Sequence, residues 1–182
     1  MNRFSLRLAL ASLAALGAVY AQAPEASFSI SISTQQETVK VGEAIRLKVL
    51  ITNTSTHEIR SYRDKSLAGE LGGHRLVVED ETGTRPRMTR YHYYVRGQDI
   101  PADWVGDHDR GPGGITMSGG YAIIAPGQTA YPESILVSDL YDLRQPGKYF
   151  IHVERDDEES KTILKSNTLT ITVTGPAANG QK

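Results

Sequence analysis

The sequence contains no cysteine, so disulfides, thiol catalysis and zinc-thiolate sites are all closed to it. It also lacks an excess of either charge. Its 182 residues carry 20 Lys and Arg against 21 Asp and Glu, a net charge of −1, so no overall basic field invites nucleic acid. Eight prolines and 17 glycines are too few for a collagenous or low-complexity chain. No Gly-x-Ser-x-Gly elbow, Ser-x-x-Lys pair or phosphate-cradling glycine loop is present. His57-Glu58 opens like a zinc-protease helix, but Ser61 stands where the second histidine belongs.

Long apolar runs are missing with one exception, Leu8 to Val19, which follows Arg3 and Arg7 and leads to the small residues of Val19-Tyr20-Ala21. A positive start, a short apolar run and small residues at the cut make a signal peptide; a membrane span needs about 20 apolar residues. We expect residues 1–21 to be removed, Ala23 being the alternative cut, with 22–26 as a short linker and no membrane span left. The cut takes two arginines and no acid, which leaves 161 residues with 18 bases and 21 acids, net −3. An exported or periplasmic domain of this kind must rely on its core rather than on disulfides.

What is present is alternation of period two, the mark of half-buried strands. Phe28, Ile30 and Ile32 alternate with Ser27, Ser29, Ser31 and Ser33, and Ile45, Leu47, Val49 and Ile51 alternate with Arg46 and Lys48. Tyr149, Ile151 and Val153 alternate with Phe150, His152 and Glu154, and Leu169, Ile171 and Val173 with a row of threonines. Weaker runs lie at 59–63, 75–79, 88–95, 121–124 and 134–137. Turn signals separate them at 41–43, 80–83, 125–127 and 145–147, the last two as Pro-Gly pairs suited to type II turns. No stretch shows helical spacing with a cap and a stop. The expected fold is all-β: an immunoglobulin-like antiparallel β-sandwich of about seven to nine strands over residues 27–174, with one long glycine-rich loop and a frayed tail at 175–182. In the stretch Leu143-Arg144-Gln145-Pro146-Gly147-Lys148-Tyr149, a loop precedes a tyrosine on the core side of a strand, as in a tyrosine corner, so Tyr149, Pro146 and Gly147 are structural.

From about Ser27 to Thr174 the chain resembles small exported bacterial proteins with one immunoglobulin-like domain of unassigned activity. The resemblance rests on Val41-Gly42-Glu43, Ile51-Thr52-Asn53-Thr54-Ser55, Ala125-Pro126-Gly127-Gln128, Ser138 to Leu143, Pro146-Gly147-Lys148-Tyr149 and Ser166-Asn167-Thr168. More remotely it is similar to the bacterial intracellular proteinase inhibitor domain. These motifs mark turns and sheet corners, so the resemblance implies a fold and not an activity.

Residues 95–120 stand apart, with seven glycines, two prolines and no alternation. Loops this long are functional or disordered. Asp103, Asp107 and Asp109 on it are carboxylates that Ca²⁺ would accept, but their spacing is not the alternate-position pattern of an EF-hand, and pairing with the loop's own arginines accounts for them as well. Trp104, the single tryptophan, is either an exposed anchor or a cap that folds back on the sandwich. Just upstream, 85–96 interleaves arginines with tyrosines; as a strand it would bury Tyr91, Tyr93 and Val95 and expose Arg90, His92 and Arg96. His152 is likewise expected on an outer face, and the acidic run 154–159 reads as a solvated hairpin tip. Asn53-Thr54-Ser55 matches a glycosylation sequon, though an Asn at a strand end more often serves the turn.

The candidate contact surface is therefore Trp104, Arg90, Arg96, Tyr94 and Arg110. It fits a non-catalytic module that meets a protein or surface glycan through its loops, without a cofactor and without nucleic acid. The alternatives are a proteinase inhibitor, or a calcium-binding or enzymatic domain built on the acidic loop 95–120.

Overall fold

Alternating burial shapes the strands of the computed structural model, which describes residues 25–63, 74–95, 98–102, 104, 120–130 and 133–175. The signal expected at 1–21 and, apart from Gly175, the tail expected at 175–182 lie outside these residues, as do Arg96, Asp103, Asp107, Asp109 and Arg110. Strand β1 (Phe28–Thr34) buries Phe28, Ile30 and Ile32, and β3 (Arg46–Asn53) buries Leu47, Val49, Ile51 and Asn53. The remaining strands are β2 (Thr38–Lys40), β4 (Ile59–Arg63), β5 (His74–Asp80), β6 (Gly120–Ile124), β7 (Glu133–Leu136), β8 (Gly147–Asp157), β9 (Thr162–Lys165) and β10 (Leu169–Thr174). Two short helices join them, α1 (Arg90–Val95) and α2 (Val137–Leu140).

One sheet runs β1-β3-β7, and the facing sheet runs β2-β10-β8-β5 with β9 also on β8; β4 and β6 form a separate ribbon. Both main sheets feed a single apolar core, to which one contributes Ile30, Leu47, Val49 and Ile135 and the other Leu76, Val78, Ile151, Val153 and Ile171. Strands on two facing sheets around one core, with the first and second halves of the chain interleaved between them, define an immunoglobulin-like β-sandwich.

Polar side chains close the places where the sheets meet. The Tyr149 hydroxyl donates to the Gln145 carbonyl at 2.8 Å, pinning the crossover before β8. A second tyrosine, Tyr141, is fully buried and donates to the Leu76 carbonyl of β5 at 3.0 Å. Asn53, 1% exposed, donates from its amide nitrogen to the carbonyls of His57 and Ile124, both at 2.7 Å, while its amide oxygen accepts from the Ser55 backbone and hydroxyl. Asn167 offers both ends of its amide to Ile32, accepting from the N–H at 2.8 Å and donating to the carbonyl at 3.0 Å. In a chain without cysteine these contacts tie strand to strand and sheet to sheet.

The structure departs from the sequence reading in several places. Ten strands are formed among the described residues, because β2 and β9 are too short and too exposed to show alternation. The sandwich is not wholly antiparallel, since β2 runs parallel to β10. Only the first Pro-Gly pair makes a type II turn: Gly127 has φ 71° and the Gln128 N–H reaches the Ala125 carbonyl at 3.0 Å, whereas Gly147, with φ 156°, already belongs to β8. The run 88–95 is not a strand, for Arg90–Val95 is helical. His92 is buried, and His152, though on the outer face of β8, is covered there with its Nε2 3.3 Å from Glu154 Oε1. Asp157, in the run read as solvated, is buried too.

Candidate functional site

The local sequence explains why α1 forms. Thr89 stands at its N-cap, and its hydroxyl accepts from the His92 N–H at 3.2 Å, which satisfies an N-terminal helix donor. The same hydroxyl donates to the Asp139 carbonyl, so the cap also fastens α1 to α2. Beside it the Thr89 N–H reaches the Leu140 carbonyl at 3.0 Å and the Asp142 N–H reaches the Arg87 carbonyl at 2.8 Å. Met88 and Tyr141 pair between these two bonds.

This seam positions the candidate surface. On the inner side, Met88 and Tyr91 pack against the core, and His92 lies edge-on to the rings of Tyr93 and Tyr141, with centroids 5.9 and 5.6 Å away. Burial lowers the His92 pKa, and the Arg85 guanidinium lowers it further. Burial raises the Tyr91 pKa, with help from Asp139 and Tyr94. On the outer side, Arg85, Arg87 and Arg90 are exposed, Tyr94 is 54% exposed and Ile100 37%.

Trp104 folds back on this unit. Its indole is half-buried and donates to the Met88 carbonyl at 3.1 Å, while its backbone N–H closes a turn on Pro101 at 2.9 Å. Of the five residues expected to form the contact surface, the structure thus places Arg90, Tyr94 and Trp104 on one unit. Arg90 and Tyr94 are exposed there, and Trp104 braces the unit from its side. Arg96 and Arg110 lie outside the described residues, as do the three carboxylates considered for Ca²⁺. Among the described residues no group of three or more His, Asp or Glu is placed to hold a metal ion. No helix among them is long and apolar enough to cross a membrane.

Sequence reasoning missed the role of Thr89, although a threonine three residues before the first turn's last free N–H is a cap signal that the strand-like spacing of Tyr91, Tyr93 and Val95 obscured. It also missed Tyr141, whose burial depends on α2 turning it inward.

No family model and no curated protein matches the chain. Among solved structures it is similar to the CARDB domain of a Pyrococcus furiosus protein in complex with di-metal ions, at 12% identity and a TM-score of 0.41, over 82% of this chain and 89% of that one. It is also similar to a β-glucosidase from Erythrobacter marinus at 14% identity and a TM-score of 0.39, over 82% of this chain but only 16% of the glucosidase. The fold assignment rests on the strand order and the shared core.

Proposed function

We propose that this protein is an exported, non-catalytic binding module that contacts a protein or surface glycan through the unit formed by α1 and Trp104. The observation that carries the reading is the exposure of Arg90 and Tyr94 on α1, which is fastened to the sandwich, and of Ile100 on the segment after it. Aromatic and arginine side chains are the composition of binding hot spots. Sandwich domains place recognition at their connecting segments, where this unit sits. Export is read from the apolar run behind Arg3 and Arg7, and it sets the partner outside the cytoplasm.

A photo-reactive phenylalanine analogue at Tyr94, compared with the same analogue at Phe150 on the outer face of the other sheet, tests the assignment in the exporting cell. Adducts formed from position 94 and not from 150 support it. Adducts formed equally from both, or from 150 alone, overturn it.

A further inference from the structure

His92 is 2% exposed, and neither of its ring nitrogens has a hydrogen-bond partner among the described residues. It sits where α1 meets the segment after α2, between the rings of Tyr93 and Tyr141. We propose that His92 is an acid-sensitive latch, whose protonation detaches the α1 and Trp104 unit from the end of the sandwich while both main sheets stay folded.

The geometry argues for this in three steps. First, a protonated imidazole has two N–H donors and no acceptor here, and a buried charge without a partner is strongly disfavoured. Second, the groups around it do not compensate. Arg85, on the segment before α1, repels a second positive charge; Tyr93 on α1 and Tyr141 after α2 present ring contacts; Asp139 on α2 raises the pKa of Tyr91. Third, opening is local. Among the described residues the bonds that fasten the unit include Thr89 to Leu140, Thr89 to Asp139, Asp142 to Arg87 and Trp104 to Met88, all outside the ladders that hold the core strands. An element fastened outside the ladders opens locally at less than the cost of global unfolding. Because burial depresses the pKa of His92, the closed arrangement is fully favoured above the ordinary histidine value of 6.5 and weakens as pH falls below it.

The single tryptophan makes the test direct, since Trp104 lies on the moving unit and reports on no other part of the chain. Its emission and the far-UV circular dichroism of the purified protein are followed from pH about 7.5 to about 4, in wild type and in His92→Phe, which keeps the ring contacts and cannot take a proton. The expected result is a red shift of the emission that precedes any change in the β signal and is absent from His92→Phe. Hydrogen exchange on the wild type supplies a second measurement: protection of the Thr89, His92 and Asp142 amides falls with pH before that of Val153. A red shift that coincides with loss of the β signal, one that persists in His92→Phe, or no shift at all overturns the proposal. None of these readouts depends on a binding partner, so the latch and the proposed contact surface fail separately.

Discussion

Asp157 accepts two hydrogen bonds from Ser27, one from the backbone N–H at 2.8 Å and one from the hydroxyl at 2.7 Å, and so ties the start of β1 to the end of β8. The Ser160 hydroxyl, at 2.7 Å, and the Glu159 N–H, at 3.1 Å, complete the ring of donors. Burial alone would raise the pKa of this carboxyl; the four donors outweigh it and hold it at about 2, against an ordinary 3.8.

Replacing Asp157 by Asn removes the charge and turns an N–H₂ toward groups that are themselves donors. The expected loss is about 2 kcal/mol at neutral pH, the scale of hydrogen bonds to a charged group. The folded-state pKa is depressed, so this contribution is complete above 3.8 and disappears as pH falls through about 2. Urea unfolding of the two proteins should therefore give stabilities that differ at pH 7 and converge in strong acid.

His74 works over a higher pH range. It is buried at the head of β5; burial first, and Arg155 second, lower its pKa from 6.5 to about 4. The unfolded chain takes up a proton that the folded chain resists, so stability is complete above pH 6.5 and falls by about 3 kcal/mol in all as pH drops to 4. His74→Phe should flatten the dependence of unfolding free energy on pH across that interval. His92 acts in the same direction, so the double variant should be flatter than either single one.

Trp104→Ala separates bracing from mere exposure. The indole is half-buried and bonded to Met88, so its removal should cost about 2 kcal/mol and lower the melting temperature by several degrees. Trp104→Phe keeps most of the packing and loses only the hydrogen bond, and should cost about 1 kcal/mol. Equal stability of all three proteins would show that the indole contributes nothing to the fold.

The legibility of the sequence followed one physical rule. Where a strand buries one face only, as in β1, β3 and β10, alternation displays it; β2 and β9, three and four residues long with mostly exposed side chains, left no pattern to find. Residues 88–95 showed the limit of the rule, since aromatic residues at every second position suit a strand, yet the Thr89 cap and the packing of Tyr91 and Met88 fold them as a helical turn. The unit proposed as a contact surface shows in the sequence by its composition but not by its shape. Arg90 and Tyr94 were expected beside Trp104, but the inward turn of His92 depends on contacts with α2 and Tyr141, some 50 residues away in sequence, which no local pattern encodes.

Asn53 serves the turn at the end of β3, as its place in the sequence suggested. Its sequon places an acceptor nitrogen in the sequence, but that nitrogen already donates to two carbonyls at 2.7 Å and is buried with the rest of the side chain. Expression in a glycosylating host should give protein of unmodified mass at this site. Asn53→Ala removes the bonds to the Ile124 and His57 carbonyls and from the Ser55 N–H, although the His57 carbonyl keeps the Ser55 hydroxyl and the Ser55 N–H keeps the Ser27 carbonyl, for an expected loss of about 2 kcal/mol in urea unfolding.

Asn167 guards an edge. Among the described residues β1 pairs only with β3, and on its other side the Ile32 N–H and carbonyl are taken by the two ends of the Asn167 amide, as a neighbouring strand would take them. Asn167→Ala should cost about 1–2 kcal/mol through the two lost bonds. It should also leave a short length of strand edge able to pair with another chain, which lost stability alone would not do. Asn167→Asp can still accept from Ile32 N–H but cannot donate to its carbonyl, and repels it instead, so it should resemble the alanine variant rather than wild type. Sedimentation velocity over a range of concentrations distinguishes the effects: self-association of both variants, at temperatures where each remains folded, is the expected result, and destabilised but strictly monomeric variants would confine Asn167 to holding the sheets together.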